Sequence, residues 1–254
     1  MKITIITVCY NSEKTIRDTI ESVLSQNYDN YEHLIIDGKS KDNTLKIIDE
    51  YKKKYKGKLR VISEKDKGLY DAMNKGIEKA TGDIIGLLNS DDKYADSKVL
   101  EEIAKAFKNK KIEGTYSDLE FKDQDMEKTT RVWISKQGKY QLGWHPPHPT
   151  LYLRQEVDTK IGKFNLKYRM CADYDFMIRM MVNKTQLNYI PKVLIHMRSG
   201  GVSTAGLKGY IKNFKESYKV LKNNKIKFPL FVNVIRVLKT ILQMIKSKIV
   251  NIKK

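Results

Sequence analysis

An apolar run ends in adjacent carboxylates at Gly82-Asp83-Ile84-Ile85-Gly86-Leu87-Leu88-Asn89-Ser90-Asp91-Asp92. The carboxyl end of a buried strand in an open α/β sheet faces the ligand crevice. Hard carboxylate oxygens placed there select Mg²⁺ or Mn²⁺ in company with a diphosphate. A cation so held stabilises a departing phosphate. The competing reading makes Asp91 and Asp92 the start of a turn, or the cap of a helix near Ser97. What separates the two readings is the pattern upstream.

The elements that must position this pair are legible as periodicity. Residues 3–8 are β-branched and continuously apolar, as in a strand buried on both faces of a parallel sheet. A helix follows, with Ser12 as its expected cap and Ile16, Ile20, Val23 and Leu24 on one face. A strand at 33–36, a helix over 42–55 and a strand at 59–62 continue a βαβαβ alternation. Leu69, Ala72, Met73, Gly76, Ile77 and Ala80 form another helical stripe ahead of the strand 84–88. Right-handed crossovers bring all these strand ends to one edge. No GxGxxG and no GxxxxGK[ST] follows any strand, so dinucleotide and P-loop readings lack their phosphate cradle. Further on, a helix over 99–107, strands at 114–121 and 131–134, a helix over 173–182 and a strand at 187–195 are expected. Residues 136–170 are aromatic, and Trp144-His145-Pro146-Pro147-His148-Pro149 is too rich in proline for helix or central strand, which suits a pocket wall. Residues 198–203 read as a flexible loop.

At 254 residues the chain has room for one domain with an appendage. Its net charge of +19 is unevenly placed: residues 196–254 hold fourteen Lys and Arg against one acid, Glu216, and so carry +13 of it. Within that tail, Phe231, Val234, Ile235, Leu238, Ile241, Leu242, Ile245 and Ile249 form a helical stripe interleaved with Arg236, Lys239, Lys246 and Lys248. The segment 228–252 is too charged to span a bilayer and suits an anionic membrane surface, with packing on the body or on a second copy as the alternative. Cys9 and Cys171 have no metal-ligand spacing, which fits a reducing cytosol, and the strand-like start indicates no signal peptide. A nucleic-acid-binding role is disfavoured because the basic residues cluster on an apolar helix and no nucleic-acid motif appears.

Four segments, Thr7-Val8-Cys9-Tyr10-Asn11, Ile35-Ile36-Asp37-Gly38-Lys39-Ser40-Lys41-Asp42-Asn43-Thr44, Lys67-Gly68-Leu69-Tyr70-Asp71-Ala72-Met73-Asn74-Lys75-Gly76 and Asn89-Ser90-Asp91-Asp92, together resemble family 2 glycosyltransferases of the GT-A fold in order and spacing. The resemblance covers about residues 1–205. It implies an α/β, Rossmann-like fold with a mixed, mainly parallel sheet flanked by helices, to which the tail adds an amphipathic helical extension at 206–254. It divides the catalytic domain 1–205 into a nucleotide-binding half, 1–95, and an acceptor half, 96–205. It also implies an inverting, Mn²⁺- or Mg²⁺-dependent transferase using a nucleotide-diphosphate sugar, with Asp37 at the base and Asp91 and Asp92 at ribose and metal.

The residues agree with that expectation in kind. Tyr10 offers a flat face for a pyrimidine and Asp37 an acceptor for an imide N–H, which together favour uracil; a packed aromatic and an Asx-turn are the competing readings. Thr7, Asn11, Glu64, Asp71, Asn74 and Lys75 complete the expected nucleotide-sugar set, with Asn74 and Lys75 as donors to oxygens. The family's later acidic motif is matched by Cys171-Ala172-Asp173-Tyr174-Asp175-Phe176. The resemblance makes Asp173 the catalytic base, with a helix cap as the alternative role. Ala172 stands where relatives carry Glu, and Lys39, Lys41 and Asn43 depart from the second motif without removing Asp37. Arg198 suits diphosphate oxygens, His196 is a candidate metal ligand, and His145 and His148 are candidates for the acceptor side. The expectation is a cytoplasmic enzyme, peripheral on the inner face of the cell membrane. It moves a sugar from a UDP-sugar to a glycan acceptor, lipid-linked, in surface-polysaccharide synthesis such as O-antigen or capsule. An inactive sugar-nucleotide-binding subunit is the rival, and a homodimer stays open.

Overall fold

The computed structural model describes residues 1–200 and 206–252 and, within the last two helices, the side chains of residues 208–245. The first half alternates as the apolar pattern dictates: β1 (Ile3–Cys9), α1 (Ile16–Leu24), β2 (Tyr31–Asp37), α2 (Thr44–Tyr51), β3 (Leu59–Ser63), α3 (Leu69–Lys79) and β4 (Ile84–Leu87). These four strands pair in parallel in the order β3-β2-β1-β4. Every residue of β1, β2 and β4 is buried, as expected of strands covered on both faces.

The second half adds β5 (Lys93–Tyr94), α4 (Val99–Ala106), β6 (Gly114–Lys122), β7 (Thr129–Trp133), β8 (Tyr152–Arg154), α5 (Gln155–Ile161), α6 (Ala172–Val182) and β9 (Leu187–Arg198). The sheet continues through β8, β6 and β9 to β5, with β7 hairpinned on β6. The β4–β8 junction needs a residue without a side chain, because a Cβ on Gly86 would fall inside the Tyr152 ring. The Tyr152 hydroxyl then meets that of Tyr94 at 2.5 Å, joining β8 to β5 beneath the acidic pair.

Two apolar layers flank the sheet. One gathers Ile16, Ile20, Ile48, Val99 and Ile103 of α1, α2 and α4; the other gathers Met73 and Ile77 of α3 with Val157 of α5 and Phe176 and Met177 of α6. Helix α2 is shorter than the expected 42–55, since the chain leaves the helix after Tyr51 and turns through Lys56 at φ +49°. Ser12 does not cap α1 with its side chain: its carbonyl accepts the amides of Thr15 and Ile16, and its hydroxyl lies 3.0 Å from that of Ser90.

Helices α7 (Gly206–Asn223) and α8 (Pro229–Ile252) form an antiparallel pair against the body, and no helix among the described residues is long and apolar enough to cross a membrane. Helix α8 has two faces. Val232 and Asn233 are buried, and Arg236 donates to Asn213 and Ser217 of α7 while its guanidinium lies 4.9 Å over the Tyr174 ring. Lys239 donates to the Leu142 carbonyl at 2.7 Å. Gly143, at φ +69°, admits the α8 backbone, because a Cβ there would stand 2.6 Å from the Arg236 nitrogen. On the opposite face Phe231, Val234, Leu238, Ile241, Leu242 and Ile245 are exposed. Arg236 and Lys239 therefore hold the helix to the body rather than flanking its open apolar stripe; the side chains of Lys246, Lys248 and Ile249 lie outside the described residues.

Candidate functional site

The carboxyl ends of β1, β2 and β4 open onto a cavity of about 690 Å³ lined by Asn11, Ser12, Asp42, Ser90, Asp91 and Arg198, among others. Its floor is the segment after β4. This strand ends at Leu87, and the acidic pair follows a turn in which the Asp92 amide bonds the Asn89 carbonyl at 3.1 Å. The two carboxylates then divide. Asp91 lines the cavity, while Asp92 is 1% exposed, accepting the Asn89 amide at 3.0 Å and the Arg198 backbone amide at 3.2 Å. Burial raises both carboxyls above their ordinary range, and the charge of Asp91 adds to the effect at Asp92. Arg198, also buried, bonds Asp18 at 2.7 Å and lies 3.4 Å from the Asp91 carbonyl, so the end of β9 is locked over the acidic turn.

Two adjacent carboxylates, Asp92 buried and Asp91 at the cavity, fit a divalent cation, which would lift their mutual repulsion. Among the described residues no three His, Cys, Asp or Glu side chains converge on one point. That suits an ion taking one or two carboxylates from the protein and the rest of its oxygens from a diphosphate and water. His196 does not join the pair: it faces Glu120 of β6 at 3.6 Å, and burial lowers its pKa.

Around the rim the expected residues separate into those facing the opening and those holding its walls. Tyr10 is 58% exposed, free to present its ring. Asn11, at φ +51°, receives the Lys41 amide and donates its own to Ser40, tying the β1 and β2 loops together. Asp37 is fully buried, accepting the hydroxyls of Ser40 and Ser63 at 2.5 and 2.6 Å, so it shapes the rim from beneath. Glu64 and Asp71 flank Lys75 at 3.0 and 3.8 Å.

Two expected contacts are corrected. Thr7 turns away from the opening and donates to His33 at 2.9 Å inside the core, because its position on β1 faces the α1–α2 layer. Asn74 is buried and clasps the Phe164 backbone through both ends of its amide, at 2.9 Å each. It fastens the loop before α6 to α3 and offers nothing to a nucleotide.

That loop leads to Asp173 in the first turn of α6. Its carboxylate, partly exposed, accepts the Tyr70 hydroxyl at 3.1 Å. Tyr70 opens α3 just past β3, so Asp173 shares the edge to which the parallel strands point. Aromatic rings wall this side: His145 packs between Trp133 and Tyr174 at 5.3 and 5.2 Å, and His148 sits on Phe164 at 5.5 Å. Burial keeps both imidazoles neutral, with His145 brought down to about 4 and its Nδ1–H given to the Pro146 carbonyl. Tyr70 and Ser90 lay inside the recognised segments without being singled out. Gln124, on the β6–β7 turn, carries no sequence signal yet reaches the cavity.

The family model for glycosyl transferase family 2 matches residues 4–184. A PGL/p-HBAD biosynthesis glycosyltransferase of Mycobacterium bovis is 30% identical over 188 residues, covering 72% of each chain. Among solved structures, S. aureus TarS 1-349 in complex with UDP-GlcNAc superposes with a TM-score of 0.64 at 19% identity, over 87% of this chain and 67% of that one; of a longer TarS chain this one covers 39%. A mannosyltransferase of Pyrobaculum calidifontis in complex with GDP-Man and Mn²⁺ gives 0.69 at 16% identity, over 93% and 69%.

Proposed function

The chain belongs to the family 2 glycosyltransferases and has their GT-A fold, and from that premise we propose that it transfers a sugar from a UDP-sugar to a lipid-linked glycan with inversion at the anomeric carbon. The observation that carries this reading is that a carboxylate-floored cavity and a second, separate carboxylate, Asp173, stand at the same edge of the sheet. Tyr10 stacks on the base. Asp91, with Asp92 behind it, would hold a divalent ion, Mn²⁺ or Mg²⁺, which would supply Lewis-acid neutralisation of the diphosphate. Arg198 places positive charge at that end. Asp173, oriented by Tyr70, takes the proton of the acceptor hydroxyl as its oxygen attacks opposite the leaving diphosphate. The neutral His145 and His148 and their aromatic neighbours exclude water from that side.

The acceptor side favours a lipid-linked glycan because the exposed stripe of α8 is suited to lie at a membrane surface. That would place the enzyme peripherally on the inner face of the cell membrane, in surface-polysaccharide synthesis. The donor reading has support from TarS, which is described in complex with UDP-GlcNAc, and the Mycobacterium bovis relative is named for PGL/p-HBAD biosynthesis. A panel of nucleotide sugars, read by release of UDP with and without a lipid-diphosphate-linked sugar, tests the reading. One UDP-sugar should turn over in the presence of Mn²⁺ or Mg²⁺, faster with the lipid-linked acceptor. Turnover of GDP-sugars alone, or UDP-sugar turnover unaffected by a chelator, would overturn the donor or the metal assignment respectively.

A further inference from the structure

A second cavity, of about 590 Å³, lies away from the acidic turn, between α7, α6 and the loop before α6. Lys167, Lys212, Lys215 and Lys219 line it together with Arg179. Its two acids are already engaged. Asp175 takes Arg179 at 2.8 Å and Asn224 at 2.8 Å, and Glu216 accepts the backbone amides of Arg169 and Met170 at 2.9 and 2.6 Å. Arg179 in turn is committed to Asp175 and to the carbonyls of Ile161, Gly162 and Lys163. Lys212, Lys215 and Lys219 have no ion pair or side-chain hydrogen bond among the described residues, and their spacing of three and four puts them on one face of α7. Asn213 and Ser217, which hold α8, project from the other side of α7. The lysines are therefore not part of the α8 seat.

Flexible ammonium groups facing one hollow repel one another and are relieved by a compact multivalent anion. Lysine binds phosphate as a point charge, whereas arginine engages carboxylate and phosphate oxygens through a planar fork. We propose that this cavity is a second, metal-free anion site that takes a phosphoryl group, presented by an anionic lipid headgroup or by a phosphorylated glycan. Its wall is contiguous with the machinery: Glu216 holds Met170, and the Met170 carbonyl and Asp173 lie within reach of the same Tyr70 hydroxyl, at 3.2 and 3.1 Å. A phosphoryl group seated there would steady the segment that carries Asp173.

The test compares the full chain with a triple variant, Lys212→Gln, Lys215→Gln and Lys219→Gln, and with a control of equal charge loss, Lys108→Gln, Lys110→Gln and Lys111→Gln. Inorganic pyrophosphate is titrated calorimetrically in the presence of a chelator, which keeps the acidic turn from binding it through metal. Affinity should fall about tenfold or more in the triple variant, as expected when three facing charges are removed, and stay within about twofold in the control on the same Coulombic argument. Co-sedimentation with phosphatidylglycerol vesicles then identifies the source: parallel loss assigns a lipid headgroup, and unchanged vesicle binding assigns a glycan-borne phosphate. Equal pyrophosphate binding by the triple variant, or equal loss in the control, overturns the proposal. UDP·Mn²⁺ binding, measured alongside, reports on the donor cavity alone and should not move.

Discussion

Asp91 and Asp92 are neighbours in sequence with different surroundings, and that difference is measurable. Asp91→Asn should weaken Mn²⁺-dependent UDP binding with little effect on the fold, since its carboxylate faces the cavity. Asp92→Asn should also weaken that binding, yet raise the stability of the metal-free protein near neutral pH, because the amide keeps one acceptor oxygen for the Asn89 and Arg198 amides while removing the charge that burial and Asp91 penalise. Calorimetry and thermal melts separate the two, and unchanged UDP·Mn²⁺ affinity in both variants would end the metal assignment. Asp173→Asn is nearly isosteric and can keep the Tyr70 contact, so donor affinity should hold while kcat falls by about two orders of magnitude or more. Wild-type turnover would move the base elsewhere. The positions of these carboxylates were legible, because an apolar strand runs into the acidic pair and Asp173 opens a helix; their roles are what these variants test. What stayed hidden was the direction of side chains. Thr7 and Asn74 sit in the right segments, yet one faces the core and the other clasps Phe164, and only packing decides which way a residue in such a segment points.

At the scale of elements, β1, β2 and β4 were legible because their burial on both faces leaves a continuous apolar run. The later half was less so. Strand β8 has three residues and β5 two, too short for any period to register, and they are placed by tertiary pairing with β4 and β9. The docking of α8 was only one of two readings, because its contacts, Arg236 with α7 and Tyr174, Lys239 with Leu142 and the close approach at Gly143, join segments far apart in sequence. Gly143→Ala should therefore destabilise the protein by about 1–3 kcal/mol through combined backbone strain and overpacking, and expose α8 to limited proteolysis. Gly57→Ala separates the causes: Gly57 also has positive φ, at +87°, but a Cβ there meets nothing within 4 Å. If both variants lose the same stability and α8 remains protected, the close approach to Arg236 is not what holds the helix.

Across the whole molecule, His33 alone of the histidines is fully buried. His33 donates Nδ1–H to Tyr55 and accepts from Thr7, and burial brings its pKa down to about 3. The unfolded imidazole binds its proton near pH 6.5, so as pH falls below that value the unfolded state gains protons that the folded state refuses. Stability should fall by about 1.4 kcal/mol per pH unit from this group alone, and the slope between pH 6 and 4.5 should be shallower in His33→Gln. Denaturant titrations at several pH values check it. At the same scale, Leu238→Glu with Leu242→Glu should abolish vesicle binding while leaving UDP binding intact, because both side chains point away from the body. Unaltered co-sedimentation would return the stripe to self-association. The packing of Arg236 over Tyr174, next in sequence to Asp173, has a practical consequence for anyone handling this enzyme. Trimming the greasy tail to improve solubility would strip a cation from the ring beside the proposed base and uncover the Val232 seat. A shortened protein that behaves well on a column would then report the kinetics of a different active site.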